Sequence, residues 1–167
     1  IAGSVDKEEV KVMLGIMRHR GPDDEGMAEK NGYTFGAGRL AIVDTQATGL
    51  SPLVDKQYVL AFNGEIYNFV ELREELAGVH AFRTDSDTEV LLAAYKKWGI
   101  ECLDHLNGMF AFALYDGQKI FLARDIAGEK PLYYSMEGGF RFASEAKALH
   151  FKCEELPPAH FAVYQNG

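Results

Sequence analysis

Cysteine is scarce in this chain. Cys102 and Cys153 are the two present, too few for a disulfide framework and without the paired C-x-x-C spacing of a zinc site. No Asn-x-Ser/Thr acceptor occurs, and a reducing, cytoplasmic setting is the simplest expectation. The five histidines are scattered singly, with no HExxH or His-x-His pair, so no metal site is expected. Long apolar runs are lacking as well. The longest, Met109 to Tyr115, has seven residues, against about 20 for a membrane-spanning helix; no membrane partner is expected. No basic segment followed by an apolar one opens the chain, so no signal peptide is read. Basic residues are outnumbered, 17 Lys and Arg to 25 Asp and Glu, for a net charge of −8. That balance speaks against nucleic acid as a partner. Neither a Walker A loop nor a Gly-x-Ser-x-Gly elbow is present.

What is present suits one globular domain. The chain has 167 residues, 47% apolar and 25% charged, ordinary values for a soluble fold. Asp6 and Glu9 form a capping-box pattern, followed by Val10, Met13, Leu14 and Met17 on one helical face. A loop follows at 19–26. Residues 33–35, 39–43 and 57–62 read as strands. Asn68 caps the next helix, with Glu71 at its third position and Gly78 as its stop. Ser86 and Glu89 open a third helix, its face marked by Val90, Leu91, Ala94, Tyr95 and Trp98. Residues 109–115 and 120–123 form a hairpin around Asp116-Gly117, and 130–135 and 139–143 are two more strands. Helices and strands segregate as in an α+β domain with largely antiparallel sheets. Leu156-Pro157-Pro158 reads as the exit, giving a domain over 1–155 and a segment, 156–167, that begins a linker.

Gly36-Ala37-Gly38-Arg39-Leu40-Ala41 matches a dinucleotide fingerprint by letter. The mechanism needs a helix to start there, and Ile42-Val43 continue a strand instead. Three other spots pair polarity with special backbone needs. Arg39 opens an apolar strand and could grip a carboxylate with two hydrogen bonds, or be an ordinary strand-end arginine. Asn63-Gly64 could supply two donors to one developing oxyanion, or be a hairpin turn. Asp87, in the first turn of its helix, would be kept ionised by the helix dipole. There it could hold an ammonium, or merely complement the dipole. Together, a carboxylate binder, an ammonium binder and an oxyanion donor suit an α-amino acid attacked at its side-chain carbonyl, as in glutamine hydrolysis.

The runs Arg18-His19-Arg20-Gly21-Pro22-Asp23, Arg39-Leu40-Ala41-Ile42-Val43-Asp44, Asn63-Gly64-Glu65-Ile66-Tyr67-Asn68, Ser86-Asp87-Thr88-Glu89, Arg124 to Tyr134 and Ala143 to Leu149 occur in this order. With them the chain resembles, over about residues 1–150, the amino-terminal glutaminase domain of glutamine-hydrolysing asparagine synthetases, a branch of the class II glutamine amidotransferases. The resemblance implies the N-terminal nucleophile hydrolase fold, a four-layer α/β/β/α sandwich with two largely antiparallel sheets. It implies that Arg39 binds the glutamine α-carboxylate, that Leu40, Ala41, Ile42 and Val43 line the pocket, and that Asn63 and Gly64 form the oxyanion hole. Glu65 would line the site and Asp87 hold the α-ammonium. It further implies a covalent mechanism, in which an N-terminal cysteine attacks glutamine with its own α-amino group as base.

The family begins Cys-Gly-Ile-Ala-Gly, whereas this sequence begins Ile1-Ala2-Gly3, so the expectation is that Cys-Gly precedes Ile1. Cys102, between Ile100 and Leu103, reads as a buried structural thiol, and Cys153 lies past the matched core. Ile126 and Glu129 also depart from the family pattern. The resemblance implies no cofactor in this domain, with ATP and magnesium belonging to a C-terminal synthetase domain that activates aspartate. L-glutamine and that domain are the expected partners, and a homodimer is compatible with both. Two alternatives stand beside this reading: a glutamine-binding domain without a nucleophile, and an amidotransferase serving an amino-sugar, purine or β-lactam acceptor.

Overall fold

A computed structural model describes residues 1–39 and 51–165, Arg39 by its backbone alone. The elements run β1 (Ala2–Ser4), α1 (Lys7–Ile16), β2 (Asp24–Lys30), β3 (Tyr33–Arg39), β4 (Leu53–Asp55), β5 (Tyr58–Ile66), α2 (Phe69–Leu76), α3 (Asp87–Trp98), β6 (Gly108–Tyr115), β7 (Ile120–Arg124), β8 (Tyr133–Ser135), β9 (Arg141–Ala143), β10 (Glu154–Glu155) and β11 (Phe161–Tyr164). One sheet has the order β10-β8-β9-β1-β3-β2 and the other β11-β7-β6-β5-β4. Every pairing is antiparallel.

The four layers follow from how the strands divide their side chains. In β6, Phe112 and Leu114 point to α2 and α3, where they meet Leu72, Leu76, Val90 and Leu91. Ala111, Ala113 and Tyr115 point the other way, into the space between the sheets, against Phe35 and Phe142. Both faces of β6 are thus covered, which is why its run is apolar without alternation. On the outer face of the first sheet, Val10, Met13, Leu14 and Met17 pack over Ala2 and Ala143. Gly36 lets α1 come this close, since a Cβ there would stand 2.7 Å from Val10 Cγ1. The Gly36-Ala37-Gly38 stretch lies within β3, so no phosphate-binding helix starts there.

Local signals hold, with shifted details. Asp6 caps α1, its carboxylate accepting from the N–H groups of Glu8 and Glu9. Glu9 does not complete the capping box; it binds Ser4 and Arg141. Asn68 stands at the start of α2 but makes no capping bond. Its amide instead fastens the 105–107 loop, donating to the His105 carbonyl (2.9 Å) and accepting from Asn107 N–H (2.9 Å). The β6–β7 hairpin turns at Gly117-Gln118, one residue later than expected, because Asp116 N–H bonds Lys119 O and Gly117 carries the positive φ of +101°. α3 is buried beyond the expected face, Leu92 and Ala93 included. The segment read as an exit contributes β11, which pairs with β7 from Phe161↔Ala123 to Tyr164↔Ile120.

Candidate active site

The turn reading of Asn63-Gly64 fails. Both residues lie inside β5, Asn63 opposite Ala111 and Gly64 opposite Phe110. Asn31-Gly32, between β2 and β3, does turn, with φ of +48° and +82°, the double positive φ of a type I′ turn. Asn63 is held straight because β6 lies beside it.

Hydrogen-bond direction makes this part of β5 unusual. Phe110 N–H donates to the Asp125 carboxylate (3.1 Å), and Phe110 O accepts from Asp125 N–H (2.8 Å). Both polar groups of Phe110 therefore face β7, so Gly64 and Phe110 are a non-hydrogen-bonded pair. The N–H of Gly64 consequently faces away from β6, toward the edge of β5 that β4 covers no further than Leu60. Glycine is required here. Its φ is +153°, and a Cβ would fall 2.1 Å from Met109 O. Along β5, Val59 and Ala61 face the inter-sheet core, and the period of two puts Asn63 on that same face, at the core's end. Its Nδ2 is buried and has no hydrogen-bond partner among the described residues. Buried amides are nearly always bonded, and an exception calls for a cause.

Asn63 lines a pocket with Ile1, Arg18, Arg20, Glu25 and Gly38. Arg20 donates to Glu145 (3.2 Å), which also binds His19 Nε2 (2.9 Å) and Lys147 (2.8 Å). Burial opposes ionisation of Glu145, yet the hydrogen bonds from Lys147, His19 and Arg20 bring its carboxyl down to about 2. Next to it, Ser144 brackets Ile1: Ser144 Oγ accepts from the Ile1 nitrogen (2.8 Å) and Ser144 N–H donates to Ile1 O (2.9 Å). The fold thus joins the 18–26 and 143–149 motifs at one pocket. The pairing of Arg20 with Glu145 was not legible from the sequence, because more than a hundred residues separate the two.

Asp87 is placed by α3, whose first residue it is, and it reaches β5, where its Oδ2 accepts from Ile66 N–H (3.0 Å). The expectation that the helix N-terminus gives Asp87 a low pKa is corrected. Burial raises the Asp87 pKa above the ordinary carboxylate range, and the charge of Glu65 adds to this. Hydrogen bonds from Ile66 and Thr88 offset it only in part. The helix N-terminus is where it was expected, but the side chain is tucked under it rather than solvated. Glu65 and Asp87 thus bring two carboxylates to the end of β5 just past Gly64, an arrangement suited to a cation. Arg39 pairs with Asp24 through its backbone, and Leu40, Ala41, Ile42 and Val43 lie outside the described residues.

Cys102 is buried, its thiol pushed up to about 12 by burial with a smaller contribution from Asp104; it is inert as read. Cys153 packs against the α1 side of the first sheet. Asp125 organises the loop after β7, accepting from Glu129 N–H (3.1 Å) and Lys130 N–H (3.2 Å). The departing residues Ile126 and Glu129 are exposed on that loop. Among the described residues no group of three or more His, Cys, Asp or Glu could hold a metal ion, and no helix is long and apolar enough to cross a membrane.

Two antiparallel sheets packed face to face between helical layers, with a polar pocket at one end, are the architecture of the N-terminal nucleophile hydrolases. Solved structures share it. The phosphoribosylpyrophosphate amidotransferase of B. subtilis superposes with a TM-score of 0.85 at 22% identity, over 99% of this chain and 47% of that one. An allosteric regulatory enzyme of purine biosynthesis superposes at 0.87, also at 22% identity. The family model for the glutamine amidotransferase domain matches residues 1–163. The chain belongs to that family. Asparagine synthetase [glutamine-hydrolyzing] 3 of Bacillus subtilis is 43% identical over 152 residues, 86% of this chain and 25% of that protein. Asparagine synthetase B of Escherichia coli is 45% identical over 161 residues, 91% of this chain and 29% of that protein. The chain therefore spans only about a quarter to three-tenths of the length of these two relatives.

Proposed function

We propose that this domain hydrolyses L-glutamine and passes the ammonia to a synthetase domain that amidates aspartate. The observation that carries the reading is the buried, unbonded Nδ2 of Asn63 beside the outward-facing N–H of Gly64. A buried side-chain donor with no partner among the described residues, beside a backbone N–H turned away from β6, matches an oxyanion that exists only during reaction. In this reading the nucleophile is a cysteine ahead of Ile1. Its thiolate adds to the side-chain carbonyl carbon of glutamine, and the electron pair moves to the oxygen held by Asn63 and Gly64. The cysteine's own α-amino group takes the thiol proton and returns it to the leaving nitrogen as the C–N bond breaks, ammonia departs, and water then adds to the thioester, releasing glutamate and the thiol. Arg39 grips the α-carboxylate, Leu40 to Val43 line the pocket, and Asp87 with Glu65 holds the α-ammonium, which in turn favours the ionised form of Asp87. ATP and magnesium belong to the synthetase domain. The 43% and 45% identity to asparagine synthetases favours aspartate as acceptor over amino sugars, purines or β-lactams.

The test compares the chain beginning at Ile1 with one carrying Cys-Gly ahead of it. Both should bind glutamine by calorimetry, and only the second should release equal amounts of glutamate and ammonia. Absence of glutamine binding in both would overturn the proposal. Binding with no turnover in either would leave a glutamine-binding domain.

A further inference from the structure

Between α2 and α3 the chain runs through 77–86 without a helix or strand, yet it must deliver Asp87 to β5. The group that shapes this loop is Glu89, 3% exposed on α3. A buried carboxylate is costly unless its oxygens are satisfied, and here both are. Oε1 accepts from Arg83 N–H (3.0 Å) and faces His80 Nε2 (3.2 Å). Oε2 accepts from Thr84 N–H (2.7 Å), Thr84 Oγ1 (2.7 Å) and Arg83 N–H (3.1 Å). In a capping box, a glutamate at this third helical position would bond Ser86 N–H directly. Instead Ser86 N–H donates to Thr84 Oγ1 (3.3 Å), and Thr84 Oγ1 donates to Glu89. Ser86 Oγ in turn accepts from Thr88 N–H (3.1 Å). Both chain neighbours of Asp87 are thereby held. Arg73 clamps the loop from outside, through Thr84 O (2.6 Å) and over the Phe82 ring.

We propose that Glu89 is a positioning residue for substrate recognition, holding the 80–86 loop so that Asp87 meets the α-ammonium of glutamine at the end of β5. This rests on the ammonium role of Asp87 given above. Among the described residues Glu89 does not line the pocket beside Asn63, so its effect on ligand passes through Asp87. A displacement of about 1 Å in a binding group is enough to lose much of its contribution. Glu89→Gln sets an NH₂ group against donors that face both oxygens, which displaces the loop without adding bulk.

The experiment measures affinity by calorimetry for glutamine and for glutaramate, the same molecule without its α-amino group, in the parent, Asp87→Asn, Glu89→Gln and the double variant. Glu89→Gln should weaken glutamine about tenfold and glutaramate less than about twofold. The double variant should bind glutamine no more weakly than Asp87→Asn, because residues acting as a unit are not additive. If Asp87→Asn weakens both ligands equally, the ammonium reading fails and the proposal with it. If Asp87→Asn is selective while Glu89→Gln weakens both ligands alike, or neither, only the role of Glu89 is overturned. Should Glu89→Gln fail to fold, Thr84→Val, which removes the single hydroxyl link to Ser86, carries the test. Its expected loss is about threefold for glutamine alone, and an equal loss for glutaramate refutes the proposal.

Discussion

Replacing Asn63 by alanine separates an oxyanion donor from a structural asparagine. In the free protein Nδ2 is buried without a partner among the described residues. A buried donor left unbonded costs about 1–3 kcal/mol, so deleting it relieves a penalty instead of breaking a bond. Against that stands the lost packing of a small amide at the rim of the core. The two effects oppose each other, and the net change in stability should fall within about 1 kcal/mol. For a domain of this size that is a shift in Tm of roughly 2–4 °C at most. The reaction responds differently. Losing one oxyanion donor typically costs about 10²–10³ in kcat, roughly 2.7–4 kcal/mol of transition-state stabilisation. KM should move little, because the ground-state carbonyl carries little of the charge that Asn63 answers and the α-groups are gripped elsewhere. The assay is steady-state ammonia release by a protein carrying Cys-Gly ahead of Ile1, beside thermal unfolding of the same variant. A kcat within about threefold of the parent, with Tm lowered beyond the range above, would refute the reasoning and make Asn63 a structural residue.

Asp87→Asn should leave the free protein as stable or more so at pH 7. The Asp87 carboxyl is held above its ordinary range, so its favourable contribution exists at low pH and is lost as pH rises through that raised value. The asparagine keeps an oxygen for Ile66 N–H without the charge. Its advantage in Tm should shrink as pH is lowered, while glutamine affinity at pH 7 falls at least about tenfold; a lower Tm at pH 7 with unchanged affinity would contradict this. Gly64→Ala should behave oppositely to Asn63→Ala, lowering Tm markedly, because the new Cβ would fall 2.1 Å from Met109 O at a φ of +153°. A variant that melts with the parent would show that β5 and β6 can part there without cost.

Much of the architecture is a local matter and was legible. Asp6 and Ser86 cap helices because a short side-chain oxygen can meet free N–H groups wherever the following residues are helical. The apolar run at Met109 to Tyr115 marks a strand covered on both faces. The residue types at Arg39, Asn63 and Asp87 suit the recognition of an amino-acid amide. Tertiary structure decided what those residues experience. Asn31-Gly32 and Asn63-Gly64 carry the same letters, and one turns while the other runs straight, because β6 supplies a partner strand along Asn63 and Gly64. The direction of the Gly64 N–H, away from β6, depends on Asp125 having claimed both polar groups of Phe110. The Asp87 carboxyl is raised, not lowered, because burial against β5 outweighs the helix N-terminus. Arg20 finds Glu145 only when β1, β3 and β9 are laid side by side. Backbone preferences are short-range and can be read along the chain. Desolvation and the choice of hydrogen-bond partner are set by what arrives from elsewhere in it.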